Sequence, residues 1–222
     1  MKSIFFDSST LISLALTCTL GPFTKLQQAY GGNFYITPLV KKEVIDRPRQ
    51  INRFKLEAYR LNHLLDTGTL RLYTEKNLDA KTDALLEKIN NTFFAHNRPI
   101  KIVHGGEINA VIAAKETGAE AIAIDERTTR LLIESPEKLA ALLQAKLHTH
   151  IRIDSQNLGF LKEELSGLNV IRSTELAIAF LSHGFAGKKT VDLLDALLWA
   201  LKLNGCAISS DEIADYNRGI VE

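Results

Sequence analysis

Short, largely apolar runs, each stopped by an acid or a turn residue and followed by a helical pattern, leave this chain few folds to choose from. Ser3–Phe6 is such a run and Asp7 stops it. Phe34–Thr37 and Ala121–Ile124 are two more, the second stopped by Asp125. A strand without polar alternation is covered on both faces, as in a parallel sheet. After Asp7, the residues Ser8, Ser9 and Thr10 are available to cap a helix carrying Leu11, Ile12, Leu14 and Ala15. Pro38 suits the first turn of a helix through Val40, Glu43 and Val44. Gly105-Gly106 precedes a helix with Ile108, Val111 and Ile112 on one face, and Gly118 ends it. Val170-Ile171 reads as another strand, with Ser173 or Thr174 capping the helix Glu175–Ser182. Strands that alternate with helices predict an α/β fold: a three-layer α/β/α arrangement around a mostly parallel sheet.

The 222 residues suit a single domain over 1–222. A charged, mixed stretch at about 46–104 reads as a helical insert. It has helices over Phe54–Leu65 and Ala80–Phe94 and a strand near Leu70–Leu72. A C-terminal extension at about 185–222 holds a helix over Val191–Leu203 and a strand over Cys206–Ser209. Trp199 and the phenylalanines are core candidates. The apolar run Leu11–Leu20 is too short to span a membrane. Two distant cysteines, Cys18 and Cys206, fit a reducing cytoplasm and form no zinc spacing. Twenty-seven basic and 26 acidic residues leave a net charge of +1, so any nucleic-acid surface has to be local.

The acids carry the chemistry. In open α/β sheets, ligands bind beyond the carboxyl ends of the strands. Asp7 and Asp125 both fall there, Glu107 starts the helix beside the second strand, and Glu43 lies early in the helix after Phe34–Thr37. Carboxylates brought close repel one another, and burial raises their pKa values. A divalent cation such as Mg²⁺, held by a few carboxylates, water and phosphate oxygens, resolves that conflict. The competing reading is plain: strand-to-helix turns favour Asp as a cap whether or not a metal binds.

The opening FFDSSTLISLA resembles the start of PIN domains, and YITPLVKKEV is similar to their second block. GGEINAVIAAKETGAEAIAIDERTTRLL resembles the third block of one PIN branch, where Gly-Glu starts a helix and an Asp pair or Asp-Glu ends the next strand. VIRSTELAIAFLSHG is similar to the unit that closes that branch. The resemblance covers roughly the first 45 residues and about 105–184. It implies a PIN-like fold and an endoribonuclease dependent on Mg²⁺ or Mn²⁺, with Asp7, Glu43, Glu107 and Asp125 catalytic and Asp7, Glu107 and Asp125 on the metal. It also implies RNA as substrate, a homodimer, and an antitoxin or other protein partner if the chain is a toxin component. The tail DLLDALLWALKLNGCAISSDE resembles the third block of ordinary toxin-type PIN domains. Asp195 and Asp211 therefore stand as alternative acids.

Around this set, Ser9 is placed to orient Asp7. Lys41, Lys42, Arg127 and Arg130 are candidates for substrate phosphate, with Arg47 and Arg49 extending the patch. For each of these basic residues a solvated helix face is the simpler reading. A haloacid-dehalogenase-like phosphatase needs a second Asp two residues after the first, and this chain has Ser9 there. A non-catalytic RNA-binding or regulatory protein is the remaining alternative.

Overall fold

The computed structural model describes residues 2–186 and 190–221. In chain order, β1 (Ser3–Phe6) leads to α1 (Ser8–Leu16) and α2 (Leu20–Tyr30), then β2 (Asn33–Ile36) and α3 (Pro38–Lys41). A π-helical turn, Lys42–Asp46, continues α3 directly. Short 3-10 turns at Pro48–Gln50 and Asn52–Phe54 precede α4 (Lys55–Asp66) and β3 (Arg71–Leu72). Next come α5 (Leu78–Asn90), β4 (Phe93–Ala95), β5 (Arg98–Pro99), α6 (Gly105–Glu116), β6 (Ala121–Ala123), α7 (Arg127–Glu134) and α8 (Pro136–Leu147). The chain closes with β7 (Ile151–Ile153), α9 (Ser155–Glu164), β8 (Val170–Ile171), α10 (Ser173–Ser182), α11 (Val191–Leu203) and α12 (Ser210–Val221). Among the described residues, no helix is long and apolar enough to cross a membrane.

The central sheet is five-stranded and all parallel, in the order β3-β2-β1-β6-β8, and helices flank it. The expected three-layer α/β fold is therefore present. Aromatic packing shows why both faces are covered. Successive residues of a strand point to opposite faces. Phe6 meets Phe23 and Phe34 on one side, at centroid distances of 5.0 and 4.9 Å. Phe5 meets Tyr35 and Tyr73 on the other, at 5.3 and 5.4 Å.

Five expectations change. The stretch 46–104 is not wholly an insert, because β3 is the edge strand of the central sheet. Its helix α5 stops at Asn90, and Phe93–Ala95 joins β5 and β7 in a separate antiparallel sheet. The β4–β5 turn uses His96 and Asn97 at φ 48° and 62°, a left-handed pair reached without glycine. Cys206–Ser209 is not a strand but irregular chain held just beyond β6, where Ala207 N–H donates to the Asp125 carbonyl (3.1 Å) and Ile208 N–H turns back to the Cys206 carbonyl (2.9 Å). The caps also shift by a residue, since Asp7 caps α1 itself and Arg172 precedes α10. Trp199 is exposed rather than core, and Phe54 and Phe160 are exposed as well.

Candidate functional site

Asp7 sits where β1 hands over to α1. Its backbone N–H still belongs to the sheet and donates to Ala123 O (3.0 Å). Its side chain turns to the helix start, where Oδ2 accepts from Ser9 N (3.1 Å) and Ser9 Oγ (2.7 Å). Ser8 Oγ lies 3.3 Å from Asp7 Oδ1 and 3.0 Å from Glu43 Oε2, linking the two acids through one hydroxyl. Asp7 is almost fully buried. Burial raises its pKa, the Ser9 and Ser8 donors oppose that, and the Glu43 charge raises it further.

Glu43 reaches this point because the π-helical turn re-aims it; such turns recur at functional sites. Its carboxylate lies against the start of α6, so close that a Cβ on Gly106 would come within 3.1 Å of Oε2. The glycine is what allows the approach. Glu107, the next residue, accepts from His104 N–H (3.1 Å) and from Thr129 Oγ1 (3.1 Å). Burial pushes the Glu107 carboxyl up to about 7, with the charges of Asp7 and Glu126 adding to the effect. Glu126 caps α7 by accepting from Thr129 N (2.7 Å). Glu43 and Glu107 line one cavity of about 360 Å³, shared with Lys42, Arg47 and His104. Among the described residues, none of Asp7, Glu43, Glu107 and Glu126 forms an ion pair.

Asp125 has a different setting. It is fully buried, and its oxygens are held by Ser173 N (2.7 Å), Ser173 Oγ (2.7 Å) and Thr10 Oγ1 (3.3 Å). Its own N–H donates to Ser9 Oγ (3.0 Å). A relay therefore runs from Asp7 through Ser9 and Asp125 to Ser173 at the head of α10. Arg172 precedes Ser173 and pairs with Glu175 (3.0 Å) and Glu212 (2.8 Å), with Tyr216 OH donating to Glu175 (2.5 Å). The tail thus braces the relay. Cys206 lies beside it as a buried thiol pushed up to about 12 by burial, with the Asp125 charge adding.

The two tail acids have settings of their own. Asp195 accepts from Asn217 (2.6 Å) between α11 and α12, and Asp211 is exposed in the first turn of α12. Lys41 is paired with Asp46 (2.6 Å), and Arg130 lies 3.8 Å from Glu134. Lys42 is exposed at the cavity, and Arg127 is exposed on α7. Glu126, Ser8 and Ser173 escaped sequence reasoning as site residues. The Asp-Glu pair at 125–126 was the one available signal for Glu126; for Ser173, 48 residues from its partner, no local signal exists.

Among the described residues, no three His, Cys, Asp or Glu side chains are already gathered as a metal-binding group. Gathering Asp7, Glu43 and Glu107 onto a cation takes side-chain rotation. The donor set still suits one, being hard oxygen ligands crowded together without a balancing ion pair. The chain matches no family model, no curated protein and no solved structure.

Proposed function

We propose that this chain is an endoribonuclease dependent on Mg²⁺ or Mn²⁺, the activity implied by its resemblance to PIN domains. The observation that carries the reading is geometric: Ser8 Oγ bridges Asp7 and Glu43, and Glu43 and Glu107 line one cavity, with no ion pair to any of the three among the described residues. Asp7, Glu43 and Glu107, with Glu126, are the groups that would hold the metal. Asp125 acts one step back, by fixing Ser9 and so the Asp7 carboxylate. A divalent cation here would lower the pKa of a water and offset charge on a phosphoryl oxygen. Lys42 and Arg47, at the same cavity, would hold the RNA backbone. Two unpaired cysteines fit a cytoplasmic setting.

Incubating the purified protein with labelled RNA and either metal tests the reading. Wild type should cleave, chelator should stop it, and Asp7→Asn should lower the rate by roughly two orders of magnitude, the several kcal/mol a cation contributes to charge stabilisation. Absence of cleavage with both metals, or an Asp7→Asn rate equal to wild type, overturns it. A non-catalytic RNA-binding role is the second reading. What favours it is that the acids are not gathered as they stand.

A further inference from the structure

Helix α11 buries one face and leaves the opposite one bare. Leu194, Leu198 and Leu201 pack with Ala177 and Leu181 of α10 and Ile213 of α12 in a hydrophobic cluster of the tail. At about 100° per residue, Asp192, Ala196, Trp199 and Leu203 form the row on the far side. All four are exposed, Trp199 by 38% and Leu203 by 78%. Alanine, tryptophan and leucine in one row make a patch rather than scattered single residues. The charges along it have opposite signs at its two ends. Asp192 lies in the first turn, Asp195 three residues on, and Lys202 in the last turn. The same helical angles put all three on one flank of the row. Among the described residues none of them forms an ion pair. Asp195 accepts from Asn217 (2.6 Å), Lys202 donates to Ser210 (2.7 Å), and the Lys202 ammonium lies 4.7 Å from the centroid of the Trp199 ring.

We propose that this face of α11 is the interface of a homodimer, packed antiparallel on α11 of a second copy. A two-fold interface brings one patch against itself, so the patch has to be complementary to itself. An axis crossing the row between Leu197 and Leu198 sets the bulky Trp199 on the small Ala196 of the partner subunit. The same operation brings Lys202 beside the partner's Asp192 and Asp195, and Asp192 and Asp195 beside the partner's Lys202. The flank is right as well as the height, because this axis keeps each residue on its own side of the row. A parallel pair would set acid on acid at one end and lysine on lysine at the other. The face is therefore complementary to itself in the antiparallel sense, and that singles out a second copy as its occupant. Two helices of about 20 Å bury less than the roughly 1,200 Å² of a stable interface, so the dimer is weak and reversible. The proposal is independent of the nuclease reading, and its test uses neither RNA nor metal.

Sedimentation velocity over a range of protein concentrations tests this. Wild type should show reversible monomer–dimer exchange. Trp199→Glu and Leu203→Glu, both at exposed positions, should each leave only monomer while keeping the wild-type circular dichroism spectrum. Lys202→Glu should weaken association about tenfold, because the pairs it makes occur twice across the axis and both turn repulsive. Asp192→Lys should weaken it in the same direction. The two charge changes combined should associate more tightly than Lys202→Glu alone, since opposite charges then meet again. Wild type that stays monomeric at every concentration overturns the proposal. So does a dimer that survives both Trp199→Glu and Leu203→Glu, or a double charge variant no tighter than Lys202→Glu.

Discussion

Glu107 on α6 and Glu212 on α12 are each the third residue of a helix. Each accepts from the backbone N–H three residues back, at His104 (3.1 Å) and Ser209 (2.9 Å). Locally they are the same capping device. Burial raises both, but what lies beyond the helix end decides the outcome. Glu107 faces Asp7 and Glu126 and ends at about 7. Glu212 faces Arg172 and the Ser209 donors, which outweigh its partial burial and hold it at about 2. Glu175 repeats the second case, with Arg172 and Tyr216 lowering it against burial. Around Glu107 the neighbouring acids leave the repulsion standing; around Arg172 they are paired with the arginine. That contrast separates an unneutralised acid from a structural brace.

The contrast breaks most visibly at Arg172. Arg172→Ala leaves the half-buried Glu175 without its cation and should cost about 3 kcal/mol, read as a lower denaturation midpoint. A loss below 1 kcal/mol, within the range of an exposed pair, would mean that the brace is not one. The opposite sign is expected at Glu107. Glu107→Gln keeps both accepted hydrogen bonds and removes the charge. The folded-state pKa of Glu107 is raised from 4.5 to about 7, so its penalty is absent at low pH, grows through that window and is complete above it. The variant should therefore be more stable than wild type by on the order of 1 kcal/mol at about pH 8, and should lose that advantage towards about pH 4. Added Mn²⁺ should raise the melting temperature of wild type more than that of the variant. Equal stability of the two proteins across the whole range would remove the repulsion from the account. The smallest effect is expected at Glu212. A lowered carboxyl contributes stability above its unfolded value of 4.5, and that contribution fades as pH falls towards about 2. Glu212→Gln should cost a few tenths of a kcal/mol at neutral pH, after screening of a largely exposed group, and less in acid.

The sequence marks Asp7 and Asp125 identically, each as an acid after an apolar run, and the strands and sheet layers follow from those runs. The fates of the two acids do not. Asp125 is claimed by Ser173, a partner that sequence spacing cannot bring to mind. Glu126, next to it, contributes charge to Glu107 while also serving as a helix cap. Glu43 was visible as an acid, but the π-helical turn that re-aims it was not, because no residue in KEVID demands it. The separate antiparallel sheet was hidden for a related reason. Its strands are three residues or fewer, and its turn uses His96-Asn97 where glycine would have signalled. The tail acids looked like competitors from the motif alone. Tertiary pairing instead gives Asp195 to Asn217 and leaves Asp211 exposed.

The relay through Ser9 also sets an order of events. Asp7 and Ser9 leave the ribosome early, yet Ser9 reaches its partner only after 116 residues of intervening chain, and Asp125 waits 48 more for Ser173. Contacts of such span carry the entropy of closing long loops and form late in folding. A nascent chain could link Asp7 to Glu43 through Ser8 early, but would lack the Asp125 and Ser173 support of Ser9 until most of the molecule exists.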